Sequence, residues 1–388
     1  MTNKKMLKTI FGTDNALSVI PGTVLAFAVM LLSLFAASHL GNFIKVQWNL
    51  ARSPVSAFLL AIILGMIVRN IFKLPSIFEP GIKFCVAKLL RLGIMFLGIR
   101  LSILAVAKIG AVAVLVVVVC IASGILISQV LAKLFGVSDR LGTLIAAGTG
   151  ICGVSAIVAT SPAIGAKEEE TAYAVSIITI FGLIATIIYP YMIELLLKLN
   201  LAQAGIFLGT AIHDTAQVTG AAYIYDQLWA KEVSKIAITT KLVRNTFMIA
   251  VIPICSIIYA VKQKNSGNFE SKKIHIMKYF PFFVLGFLAF AIFRSLGDFF
   301  VSSRAGRFLF WDSSGSWSNL CSAIKAAAQY VLAIAIAGAG LSTQFSKLKK
   351  LSFKPFIIGL MAAVTVGLVS YLLISILNGP ISSLISGR

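Results

Sequence analysis

Apolar residues run through this chain in blocks of about twenty, separated by short polar breaks. The stretch from Gly110 to Leu126 holds no charge at all. Blocks of that length cross the hydrocarbon core of a bilayer as helices. The strict apolar–polar alternation of a membrane β-barrel is missing. The pattern predicts about eleven helical spans, near residues 19–40, 54–74, 82–104, 109–135, 140–165, 171–197, 202–226, 231–262, 278–299, 317–343 and 354–378. The longest interruptions, Lys262 to Lys278 and Phe300 to Ser316, are short, so the expectation is one membrane domain over 1–388 and no soluble domain. The first apolar run follows Lys4, Lys5 and Lys8 and could be a signal peptide, with Ala36-Ala37-Ser38 as a weak cleavage site. It is long for that purpose and is read as a retained first helix.

Composition supports the same class. Hydrophobic residues make up 59% of the 388 positions and charged residues 12%. One soluble core could not hide that much apolar surface. The formal charge is +21, from 34 basic and 13 acidic residues, which in a soluble protein would suggest nucleic acid as partner. Here the basic residues fall in short loops and inside spans instead. Loop cations (Lys4, Lys5, Lys8, Lys133, Arg140, Lys262, Lys264, Lys272, Lys273, Lys347, Lys349, Lys350) outnumber those on the opposite side (Lys45, Arg52, Lys167, Arg304, Arg307) when the N-terminus is cytoplasmic. The five cysteines carry no CxxC spacing and the three histidines are scattered, so neither a disulfide framework nor a metal site is expected, and no cofactor.

Three short similarities order the spans. Leu64–Asn70 resembles Leu208–Asp214, Lys88–Arg91 resembles Lys241–Arg244, and Ala147–Ile151 resembles Ala337–Leu341. They pair span 2 with 7, 3 with 8 and 5 with 10. A shift of five reverses direction through the membrane. The expected fold is therefore all-α and polytopic, with a five-plus-five inverted repeat (54–197 and 202–378), two crossed broken helices and an extra N-terminal helix at 19–40. Inverted repeats place the substrate site near the mid-plane, where broken helices meet.

Three stretches carry candidate chemistry. Gly148, Gly150 and Gly153 sit mid-span and are poor helix material. A break there frees backbone groups that must face a cavity or a ligand. Thr149, Cys152 and Ser155 would line it, with Gly338 and Gly340 as the paired break in span 10; the alternative is that these glycines only let helices pack closely. In span 7, Asp214 is the one acid placed near mid-membrane, flanked by His213 and Gln217, and intramembrane ionisable residues are functional by default. Asp214 is a candidate for coupling to a proton or sodium, or for pairing with Lys241 or Arg244, and His213, which titrates near neutral pH when unperturbed, is a second candidate for the coupling proton. The third feature is basic: Arg69, Lys88, Arg91, Lys241 and Arg244 leave excess positive charge in a low-dielectric setting, and an anionic substrate is the natural partner. Snorkelling to the interface is the alternative, and it suits Arg69 and Lys88 best. Joint replacement of Lys241 and Arg244 by Met is expected to abolish transport from a folded protein.

The runs Gly150–Ile157, Ala172–Val175, Tyr189-Pro190, Ala211–Ala221 and Lys241–Arg244 together resemble the YeiH-type family, whose working label is sulfate exporter. The similarity covers nearly the whole chain. The family usually has Ser or Ala before the Ile-Cys-Gly, where this chain has Thr149-Gly150. It is grouped with the cation–proton antiporter and anion transporter superfamily, which implies the inverted-repeat fold, an inner-membrane location and a moving core (spans 4–6 and 9–11) against a panel (spans 2, 3, 7 and 8). The function expected is secondary transport, by export, of a small anion such as sulfate, sulfite or a sulfonate. Its candidate contacts are Arg91, Thr149, Gly150, Cys152, Gly153, Ser155, His213, Gln217, Lys241 and Arg244, and its partners are that anion and membrane lipid, with a homodimer left open. A channel-like anion pathway, a sodium- or proton-coupled carboxylate transporter and an intramembrane enzyme built on Ser155, His213 and Asp214 are the competing readings. No nucleophile elbow supports the last.

Overall fold

The computed structural model describes residues 16–47, 55–72, 74–229, 231–264, 282–302, 307–312, 315–344 and 353–381. Lys4, Lys5, Lys8, Arg52, Lys272, Lys273, Arg304, Lys347, Lys349 and Lys350, on which much of the loop-charge reading rests, lie outside these. The described chain is helical apart from one small hairpin. Its helices are α1 (Ile20–Gln47), α2 (Ala57–Ile71), α3 (79–97), α4 (Ile103–Leu134), α5a (Asp139–Gly150), α5b (Val154–Thr160), α6 (Glu168–Met192), α7a (Leu201–Ala211), α7b (Thr215–Trp229), α8a (Val233–Thr246), α8b (Met248–Lys264), α9 (Phe283–Ser302), α10 (Ser316–Ser342) and α11 (Phe353–Ile376). The hairpin pairs β1 (Arg307–Phe308) with β2 (Trp311–Asp312).

Six of these helices (α1, α4, α6, α9, α10 and α11) are long and apolar enough to cross a membrane. The pair α8a–α8b, bent by 45°, makes a seventh. The remaining expected spans are helical but short or interrupted. α2 has 15 residues, α3 widens into a π-turn at Cys85–Leu89, and α5 and α7 are broken in the middle. The long helices bury one side and leave large apolar side chains on the other. In α4, Val116 and Val117 are buried whereas Leu115 and Val118 are exposed. Lipid is the solvent that suits such an exposed face. The result is an all-α, polytopic membrane protein.

Packing groups the chain into two compact units. One comprises Met1–Ala107, Tyr223–Lys231 and Phe282–Phe345; the other comprises Lys108–Ala222, Glu232–Pro281 and Ser346–Arg388. This differs from the expected core and panel. α2 and α3 group with α1, α9 and α10, whereas α7 as far as Ala222 and α8 group with α4, α5, α6 and α11.

In the first unit the physical cause is close backbone contact. A Cβ on Gly65 of α2 would lie 2.8 Å from the Ala337 carbonyl oxygen, and one on Gly340 of α10 would lie 2.4 Å from that of Ile62. A Cβ on Gly338 would instead meet a side chain, lying 2.8 Å from the Cys85 Cβ. So Gly338 and Gly340 do not break span 10: α10 runs unbroken through both, and the small residues let backbones approach. Gly340→Ala is expected to lower thermal stability in detergent by about 1–3 kcal/mol, because the obstacle is backbone that no rotamer change relieves. Gly379→Ala, with nothing within 4 Å, is the control expected to melt like the parent.

Candidate functional site at the junction of two broken helices

In the second unit, two helices break at the same place. α5a starts on a Ser138 cap, whose hydroxyl accepts the Leu141 N–H at 3.2 Å, and ends at Gly150. The chain then turns through Ile151 and Cys152 to Gly153, which sits at φ 65°, ψ −121° and starts α5b. The Gly153 N–H still donates to the Gly148 carbonyl at 3.1 Å. α7a begins at a reciprocal Asn200–Gln203 cap and ends at Ala211. Ile212 is extended, and Asp214 starts α7b by accepting the Ala216 N–H on its Oδ1 at 2.8 Å. A Cβ on Gly153 would lie 3.3 Å from the Cα and Cβ of Asp214. The starts of α5b and α7b therefore meet, and so do the ends of α5a and α7a.

Two fully buried cations of α8a hold those ends. Lys241 Nζ donates to the carbonyls of Ile151 (3.1 Å) and Ile212 (2.9 Å), and to that of His213. Arg244 Nε donates to the Gly150 carbonyl at 3.1 Å, and its two terminal nitrogens donate to Thr149 and Thr210. The last carbonyls of a helix have no partner within it and carry the negative end of its dipole. Lys241 and Arg244 supply both the donors and the charge. All three hydrogens of the Lys241 ammonium are committed. The partner of these cations is thus the backbone of two helix ends. Lys241 has no donor left over, whereas Arg244 keeps two of its five N–H groups, and joint removal of the two is expected to cost folded protein.

The other expected residues divide. Ser155 is exposed in the first turn of α5b, and Val154, Asp214 and Thr215 are half-buried. Asp214 makes no ion pair with Lys241 or Arg244; it caps a helix start. Thr149 and Gly150 contribute carbonyls, but the Thr149 hydroxyl turns away, donating to Ile145 (2.9 Å) beside Ser128 (3.2 Å). Cys152 is buried with its sulfur 3.2 Å from that of Met248. Gln217 reaches α6, donating to the Thr179 carbonyl at 2.9 Å, with its amide in the space left by Gly182. His213 is buried, and no hydrogen bond joins its ring to Ser155 or Asp214. Arg91 is exposed on α3 in the other unit, 5.8 Å over the Phe283 ring. Among the described residues no group of His, Cys, Asp and Glu is placed to hold a metal.

Asn245 and Thr215 were not anticipated. The Asn245 amide is buried and donates to the Thr215 hydroxyl at 3.2 Å, while its oxygen has no partner. The signal was present: Asn245 lies one helical turn after Lys241 and so shares its face. The second break was also readable, because Asp214 followed by Gln217 three residues later has the form of a helix start.

Comparison with known proteins gives the lineage. A family model described as Conserved hypothetical protein 698 matches residues 21–359. A UPF0324 membrane protein of Fusobacterium nucleatum is 29% identical over 353 residues, covering 90% of this chain and 95% of its own. UPF0324 membrane proteins of Bacillus cereus (31% identical; 89% of this chain, 92% of theirs) and Listeria monocytogenes (32%; 88% and 91%) align as fully. No solved structure matches the chain. Coverage on this scale, over every element of the helix junction, makes the chain a member of the UPF0324, YeiH-type family of multi-pass bacterial membrane proteins.

Proposed function

We propose that this protein is a secondary transporter that exports a small oxyanion or sulfonate across the bacterial inner membrane, with its N-terminus cytoplasmic. The eleven helical segments each cross the bilayer, α5 and α7 as broken crossings. One observation carries the reading: at a single junction the starts of α5b and α7b meet beside Asp214, and two buried cations of α8a sit on the adjoining helix ends. Two helix starts and two helix ends offset one another in dipole, so the two cations against one carboxylate leave one net positive formal charge, which favours an anion there. Ser155 and Thr215 offer hydroxyl donors on its accessible side. Export of an anion is driven outward by an inside-negative potential, about 2.3 kcal/mol per charge per 100 mV. Movement of the unit that carries the junction would expose the site alternately. The sequence echoes pairing spans 2 with 7 and 3 with 8 support an inverted repeat, although the third echo joins a broken helix to a continuous one.

The test is melting of purified protein against sulfate, sulfite, a sulfonate and a carboxylate at fixed ionic strength. A ligand that binds only the folded state raises stability as its concentration passes its Kd. A saturable response to one class is expected. Ser155→Asp should remove it while the anion-free protein melts like the parent, because an acid in a first helical turn suits the fold and repels the ligand. A flat response across all anions would sink the proposal. Unsaturable flux in liposomes would favour the channel reading.

A further inference from the structure

The hairpin between α9 and α10 breaks the rules of its own turn. Strands β1 and β2 pair Phe308 with Trp311, which leaves a two-residue loop, Leu309-Phe310. Such loops call for Asn, Asp or Gly, because a central residue must take positive φ. Here Leu309 takes φ 54°, a conformation that costs a non-glycine residue stability. Both tip residues also face outward, Leu309 at 63% and Phe310 at 94% exposure. In water this tip is unfavourable twice over, in backbone and in apolar surface.

Its surroundings say which solvent it meets. α9 and α10 are both long enough to cross the bilayer, so the short segment joining them lies at a membrane surface. The base of the hairpin is aromatic. Phe308 packs 5.5 Å from both Phe293 and Trp317, and Trp311 lies 6.1 Å from Phe293. The Trp317 indole N–H donates to Asp298 at 2.8 Å, so its polar edge is satisfied while its body stays apolar. Trp317 is buried, so the cluster is the packed base of the hairpin, with Phe308 and Trp311 half-buried at its edge. We propose that Leu309 and Phe310 insert into the lipid headgroup–acyl boundary, and that the aromatic cluster behind them sets the depth. The hairpin is an interfacial anchor for the unit formed with α9 and α10, and its partner is the bilayer itself.

The described native cysteines are all buried, so a fluorophore on Phe310→Cys reports that site alone. In lipid nanodiscs, nitroxide lipids labelled near the headgroup are expected to quench the Phe310→Cys probe several-fold more than aqueous iodide does. The same probe on Lys167→Cys, an exposed polar position, should show the reverse order. Iodide quenching at Phe310→Cys equal to that at Lys167→Cys would place the tip in water and overturn the anchor. Shielding from both quenchers would mean that protein, such as a second copy of this chain, covers the tip, and would overturn it equally.

Discussion

Arg244→Met and Lys241→Met are each expected to yield little folded protein. Arg244 bonds the carbonyls of Thr149, Gly150 and Thr210, and Lys241 bonds those of Ile151, Ile212 and His213. Every one of these carbonyls lies at or just past a helix end, where no intrahelical donor is left. A buried polar group without a partner costs about 1–3 kcal/mol, so losing three partners at once is comparable to the whole stability of many domains. Arg244→Lys should be milder but still damaging, because a point ammonium cannot reach three carbonyls that a planar guanidinium spans. Size-exclusion profile and melting temperature in detergent check both variants. A folded Lys241→Met that melts like the parent but no longer responds to anions would return Lys241 to the role of a direct ligand.

Gly153→Ala is expected to have the second-largest effect. Its φ of 65° with ψ of −121° is open to glycine and strained for any L side chain, at about 1–3 kcal/mol. Its Cβ would also press on Asp214, 3.3 Å away, and shift the cap that starts α7b. Gly165→Ala separates the two causes, because Gly165 has φ 59° but nothing within 4 Å. Gly153→Ala should lower the melting temperature more than Gly165→Ala and remove the anion response, whereas Gly165→Ala should keep that response. Equal melting of the two variants, with the anion response intact in both, would show that the Gly153–Asp214 contact is not needed.

The sequence by itself determined the solvent and the depth. Blocks of about twenty apolar residues require lipid, and they placed Lys241, Arg244 and Asp214 inside it. The clustering of Gly148, Gly150 and Gly153 located one break, because three such residues weaken a helix wherever it packs. What the glycines of span 10 do was decided only by their neighbours. Glycine serves equally to end a helix and to let two backbones touch, and Gly340 touches α2. The partner of the break came from span 7 instead, where Asp214 starts a new helix within reach of Gly153.

The role of the buried cations was likewise a tertiary matter. From the sequence, uncompensated charge called for an anion. In the fold, two helix ends from distant stretches bring six carbonyl oxygens to α8a, and those oxygens satisfy Lys241 and Arg244. A linear pattern records where charge is buried. Which acceptors meet it depends on backbone groups that every residue carries, so only the packing of one helix end against another could reveal them.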